Sequence, residues 1–340
     1  MHGFFSHHHF EFFSNILSRL RLMSGVGVLS PLDQLQQRVG SSIRRDYGVA
    51  TMDRETQGHE TRPGGPGMTQ RTTGVVEPKE PTRPDTAARY SGALIMNADD
   101  WGRTREITER TLHCVRRGTV SSVSAMVFLE DSVRAAAIAR ESKIDAGLHL
   151  NFTMPFSAAD CPPQLAERQN KIASYLLRHR LAQVIYHPGL KQSFEYVVSA
   201  QIDEFRRLYG KDPDRLDGHH HMHLCANMLL GNLLPPGTMV RRSFSFAAGQ
   251  KPYVNRLYRY VVDRRLAKRH RMVDLFFSLA PVTPDDRVDY IFSLSREFVV
   301  ELETHPVNPE EYRLLMSDEI FRRLGDIRIV PSSSVSPTQK

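Results

Sequence analysis

From Gly92 onward, short apolar runs take turns with stretches whose apolar residues recur every three or four positions. The runs predict strands buried on both faces, and the stretches predict amphipathic helices. ALIMN, SVSAMVF, IDAGLHLNFT and RLDGHHHMHL read as four successive strands, and TMVRRSFSF, VDLFFSL, VDYIFSL and FVVELETHP as later ones. TREITERTLHCVRRG puts Ile107, Thr111, Cys114 and Val115 at helical spacing, with Arg116 and Arg117 in the last turn and Gly118 as the C-terminal cap. DSVRAAAIARES predicts a second helix. FEYVVSAQIDEFRRLYG predicts a longer one, lined by Phe194, Val197, Val198, Ile202, Phe205 and Tyr209. EEYRLLMSDEIFRRLG predicts a last helix before IRIVP.

Strands alternating with helices imply a parallel sheet with right-handed crossovers. About seven such units favour an α/β fold of the TIM-barrel-like (β/α) kind, closed or nearly closed and open to distortion. No Gly-x-Gly-x-x-Gly follows the first strand, which counts against a dinucleotide-binding domain. Residues 1–91 are a different kind of sequence. Residues 54–91 are rich in Arg, Thr, Gly and Pro, so 1–91 is expected to be a largely disordered extension. The run His7, His8, His9 lies in that tail, where consecutive histidines bind metals weakly and adventitiously. The barrel is expected over 92–330 and a flexible tail over 331–340.

Composition adds boundaries. The chain is 40% hydrophobic and 24% charged, as globular proteins are. No apolar run approaches the roughly 20 residues of a bilayer span, so no transmembrane helix and no membrane partner are expected. Cys114, Cys161 and Cys225 are too few and too scattered for a disulfide framework or a C-x-x-C site, which points to a reducing, cytoplasmic location. A net charge of +7 permits an anionic partner without demanding one. Its densest stretch, KPYVNRLYRYVVDRRLAKRHRM, reads as a surface helix with Val254, Leu257, Tyr258 and Val261 on its apolar face and a solvated arginine side; a nucleic-acid partner is the less favoured reading. PFSAADCPPQ and YHPGLKQ flank an insertion that suits either a lid or a homodimerisation lobe.

In a barrel, the chemistry collects at the C-terminal ends of the strands. Asp99 and Asp100 end the first run, and His149 lies late in the third. His219, His220, His221 and His223 follow Asp217 at the end of the fourth, and His305 ends a late one. Core histidines would fall anywhere along a strand; four runs ending alike indicate a shared site. Two imidazoles and a carboxylate suit a divalent ion such as Zn²⁺, Mn²⁺, Co²⁺ or Ni²⁺, with positions left open for water and substrate. The same ligands also describe non-haem iron oxygenases. A second aspartate would add a proton acceptor beside the ion, as hydrolysis needs. Strand neighbours point to opposite faces, so both aspartates share a pocket only where the strand gives way to a turn, as Gly102 suggests. Were the fourth strand to stay extended, His221 and His223 would share the face of His219, and His220 would point away as a structural residue.

NADDWG resembles the N-A-D-D-F-G signature of YdjC-like carbohydrate deacetylases. GLHLNFT is similar to that family's G-x-H-x-x-x-T segment, DGHHHMH to its D-S-H-x-H-x-H segment, and THPVNPEEYR to its C-terminal His-Pro stretch. The resemblance implies a TIM-barrel-like fold and one divalent ion, magnesium or zinc foremost, held by Asp100, His149 and His219. It implies Asp99 as the base and hydrolytic removal of an acetyl group from an N-acetylated sugar or oligosaccharide. On that mechanism His305, as imidazolium, would protonate the departing amine, and Asp217 would either orient an imidazole from behind or serve as a turn aspartate bonding the backbone of Gly218 or His219. Trp101 would either stack on the sugar or simply pack, and His221 and His223 would either line the sugar or orient ligands. Trp101, Gly218 and Val307 stand where the family commonly has Phe, Ser and Gly. A non-haem iron oxygenase, or a catalytically silent carbohydrate- or nucleic-acid-binding protein, are the alternatives.

Overall fold

Seven strands, all parallel, form one sheet in the order β5-β4-β3-β2-β1-β7-β6. They are β1 (Ala93–Trp101), β2 (Ser122–Ala125), β3 (Asp145–Leu150), β4 (Arg215–Gly218), β5 (Met239–Val240), β6 (Leu275–Ser278) and β7 (Val299–Thr304). The computed structural model describes residues 92–246 and 251–335. The sheet curls until its edges approach each other. Val240 N–H donates to Arg271 O (2.8 Å), and Ser245 N–H to Phe276 O (2.8 Å). Irregular backbone therefore spans from β5 to β6 where a closed barrel would have a ladder, because β5 is only two residues long. This is the distorted TIM-like barrel that the sequence pattern predicts.

Helices α1 (Arg105–Arg117), α2 (Ser132–Glu141), α3 (Pro163–Leu176), α4 (Lys191–Tyr209), α5 (Ala226–Gly231), α6 (Tyr253–Ala267), α7 (Asp285–Leu294), α8 (Pro309–Met316) and α9 (Glu319–Leu324) complete the described fold. Helix α1 begins at Thr104, whose hydroxyl accepts from Ile107 N–H (3.4 Å), and ends at Gly118 in the left-handed conformation. Strand β1 is buried from Leu94 to Trp101, as a run without alternation requires.

Several elements differ from the sequence expectation. VDYIFSL lies in helix α7, where Val288, Ile291 and Phe292 are buried at helical spacing and Asp285 and Asp286 occupy the first turn. The expected last helix breaks at Ser317 and Asp318 into α8 and α9. IRIVP adds no strand; its Val330 N–H donates to Leu94 O (2.9 Å) beside the start of β1. Of the expected tail, Ser332 is buried, with its hydroxyl on Asp145 (2.6 Å) and its N–H on Ser122 (2.9 Å). The extension 1–91 and the tail beyond 335 lie outside the described residues.

Helix α6 is rotated away from its expected orientation. It buries Asn255, Arg259, Val262, Asp263 and Leu266, and leaves Tyr253, Leu257 and Val261 exposed. The reason is polar. Asp263 accepts from Ser243 N–H (3.0 Å), Ser243 Oγ (2.8 Å) and Arg242 (2.8 Å), so the chain following β5 claims the helix's charged side.

A candidate metal centre at the strand ends

The site begins with a break in β1. Ala98 pairs with Val123, yet Trp101 pairs with Ala125, so β1 carries one more residue than β2 across this step. Asp100 sits in that bulge with φ +65°, a left-handed conformation that aspartate tolerates better than most residues. The bulge brings both carboxylates to one side, with Asp99 Oδ2 3.9 Å and Asp100 Oδ1 3.5 Å from His149 Nε2. Arg103 closes the turn, its N–H on Asp100 O (3.0 Å) and its guanidinium on Asp100 Oδ2 (2.9 Å).

Three donor atoms converge from three strand ends. Asp100 Oδ1 lies 3.0 Å from His219 Nδ1 and 3.5 Å from His149 Nε2, and all three residues are buried. Asp100 Oδ1 is buried yet accepts no well-aligned hydrogen bond. His149 spends Nδ1 on Asp217 Oδ1 (2.7 Å), and Asp217 is itself fixed by Ser124 (2.5 Å), Arg241 (3.0 Å) and Arg215 (3.2 Å). Asp217 thus orients the imidazole and leaves Nε2 facing Asp100.

The electrostatics of the centre call for positive charge. Burial opposes charge on His149, yet Asp99 and Asp217 raise it to about 10. Burial likewise opposes ionisation of Asp100, but His219 and His149 hold it well below the usual carboxylate range. An unsatisfied carboxylate oxygen between two imidazole nitrogens is a donor set that fits one divalent ion.

A family model described as YdjC-like protein matches residues 93–325, more than half of the chain. The chain belongs to the YdjC-like family. Chitooligosaccharide deacetylase from Proteus mirabilis (strain HI4320) is 31% identical over 132 residues, 38% of this chain and 50% of that protein. The protein of the same name from Yersinia pestis (strain Pestoides F) is 29% identical over 134 residues, with the same shares. The chain therefore spans about half the length of the curated relatives it matches. A crystal structure from Enterococcus faecalis V583, described as a candidate cellobiose-phosphate cleavage protein, aligns with a TM-score of 0.50. It has 20% identity and covers 72% of this chain and 98% of its own, a likeness of fold.

In this YdjC-like chain the histidine cluster is not extended. His219–Leu224 coils into a short turn in which His220 and His221 are both left-handed, with φ 54° and 56°. His220, expected to point away, instead stacks on His219 (ring centroids 4.0 Å apart) and sits 3.2 Å from Thr153 Oγ1. His221 is partly exposed, 3.6 Å from Glu303 Oε2 and edge-on to Phe244. His223 turns into the core, its Nε2 2.9 Å from Arg241 O, and burial pushes it down to about 4. Trp101 and His223 are both fully buried (0% exposed), so the indole packs and neither ring faces solvent. A Cβ at position 218 would lie 3.1 Å from His223 Cβ and N, so the glycine leaves room for that imidazole.

Sequence reasoning missed the residue that organises the interior, Arg241. Its guanidinium grips Asp99 with two bonds (2.7 and 2.8 Å), reaches Glu301 (2.8 Å) and lies 3.4 Å from Glu303. Asn97 adds a third bond to Asp99 (2.8 Å). Against the cost of burial, Arg241 and His149 keep Asp99 below its ordinary value. The signal was an arginine inside the apolar run TMVRRSF, facing the period-two glutamates of VVELET. At the end of β7, His305 donates its backbone N–H to Glu311 (2.9 Å). Burial lowers the His305 imidazole, but Asp99, Glu303 and Glu311 outweigh it and leave it raised.

Proposed function

We propose that this chain is a metal-dependent carbohydrate deacetylase that hydrolyses the acetyl amide of an N-acetylated sugar or oligosaccharide. The observation carrying this reading is the convergence of Asp100, His149 and His219 on one point, with a clamped carboxylate, Asp99, next to it. The name shared by the curated relatives supports the substrate class.

A divalent ion bound by these three residues supplies a Lewis acid for the amide carbonyl and a water of lowered pKa. The chain's own residues do the rest. Asp99 is ionised, and Arg241 and Asn97 fix its orientation with Oδ2 on the His149 side. From there it accepts the proton of the attacking water. His305, whose proton is favoured by Asp99 and the neighbouring carboxyl groups, donates to the amine nitrogen, whose free anion would be a very poor leaving group. His221, partly exposed at the rim, contacts the sugar.

The experiment is acetate release from N-acetylglucosamine, diacetylchitobiose and longer chitooligosaccharides, using metal-stripped protein with and without Zn²⁺, Mg²⁺, Mn²⁺ or Co²⁺. Acetate that appears only with metal is the expected result. No acetate with any metal, despite one bound ion per chain, would overturn the substrate assignment.

A further inference from the structure

The segment Lys251–Met272, most of it helix α6, holds eight lysines and arginines and a single acid, Asp263. That acid is buried against Arg242 and Ser243. Facing outward, Tyr253, Leu257 and Val261 follow one another at four-residue intervals and are 65%, 46% and 57% exposed. They form one stripe. Leu230 on α5, 52% exposed, belongs to the adjoining helix, which Arg265 ties to α6 through Leu229 O (2.8 Å). Beyond the stripe, Arg264, Arg265, Lys268, Arg269 and Arg271 are all exposed. Among the described residues these five contact hydroxyl or carbonyl oxygens or none, and no carboxylate.

Against the expectation of no membrane partner, we propose that this face is a docking surface for an anionic lipid bilayer. Exposed apolar side chains bordered by unpaired cations match a membrane interface, where the apolar groups enter the acyl boundary and the cations meet phosphates. Charge decides among the occupants. A second copy related by a twofold axis would set this cation-rich face against itself, with no exposed acid to answer it. Nucleic-acid docking would use aromatic faces for the bases, whereas this stripe is mostly aliphatic. The association is adsorption of a surface helix; among the described residues no helix is long and apolar enough to cross a membrane.

The test is co-sedimentation of the full chain with vesicles of phosphatidylglycerol mixed with phosphatidylcholine, and with phosphatidylcholine alone. The anionic vesicles are expected to bind at least about tenfold more tightly, with affinity falling as salt rises. A Leu257→Asp, Val261→Asp double variant, at two already exposed positions, should lose about tenfold in vesicle affinity with its circular dichroism unchanged. Arg264→Glu with Lys268→Glu should lose a similar amount. No binding to anionic vesicles at low salt would overturn the proposal. Binding undiminished in the Asp double variant would do so too, as would a solution dimer or nucleic-acid complex that the same variant abolishes.

Discussion

Two clusters of buried carboxylates share the barrel interior, and they are neutralised in opposite ways. Around β5 and β7, Asp99, Glu301 and Glu303 surround a permanent cation, the guanidinium of Arg241. Around the ends of β1, β3 and β4, Asp100 is answered by imidazoles, whose charge is exchangeable. Guanidinium cannot surrender its proton, so the first cluster is a fixed frame. Imidazole can exchange a proton for a metal ion, so the second is a place where chemistry can change state. Asp99 belongs to both: Arg241 fixes it, and it lies 3.9 Å from His149 Nε2.

Removing the fixed cation should do the greatest harm. Arg241→Met leaves the carboxylates around it unpaired, and breaking one partner of such a network costs about 3–5 kcal/mol. Urea denaturation should show that loss, and acetate release should vanish. Asp99→Asn removes the proton acceptor and one of the carboxylates on Arg241, leaving Asp217, Glu301 and Glu303 around the guanidinium, so turnover should fall by about 10²–10⁴-fold while isothermal titration still reports a bound metal. Near-normal turnover would sink the role of Asp99. Asp217→Asn acts one layer further out; without its anchor His149 should bind metal about 10–100-fold more weakly.

The mildest test concerns pH. Burial and Asp99 push Glu303 up to about 8, from an unfolded value of 4.5. Between those values the native state holds a proton that the unfolded chain releases, so this group's contribution to stability falls as pH rises. Glu303→Gln should flatten that part of the stability profile, a slope of at most about 1.4 kcal/mol per pH unit. An unchanged slope in chemical denaturation across pH 4.5–8 would contradict the assignment.

The imidazole half of this comparison was legible in the sequence, and the frame was not. Asp99, Asp100, His149 and His219 each end an apolar run, and strand ends meet at one face of a barrel whatever its details. Arg241, Glu301 and Glu303 lie within strand-like runs, where a charged residue looks like an interruption until its partner across the barrel is known. His223 and Trp101 turn into the core for a local reason. A bulge at Asp100 and two left-handed residues at His220 and His221 reset which way the following side chains point, and period-two counting does not survive such resets. VDYIFSL read as a strand because a short apolar run suits either element; its Val288, Ile291 and Phe292 spacing was the helical clue.

The two-residue β5 has a consequence for how the molecule breathes. Arg241 follows it directly, at the seam where backbone contacts replace a continuous ladder. Regions with few ladder bonds are the first to open in hydrogen exchange. An excursion of this seam would carry the guanidinium away from Asp99 while the other strands stayed paired. Amides near Val240 and Ser245 should exchange before those of β1, and mild denaturant should abolish acetate release while most of the barrel remains folded.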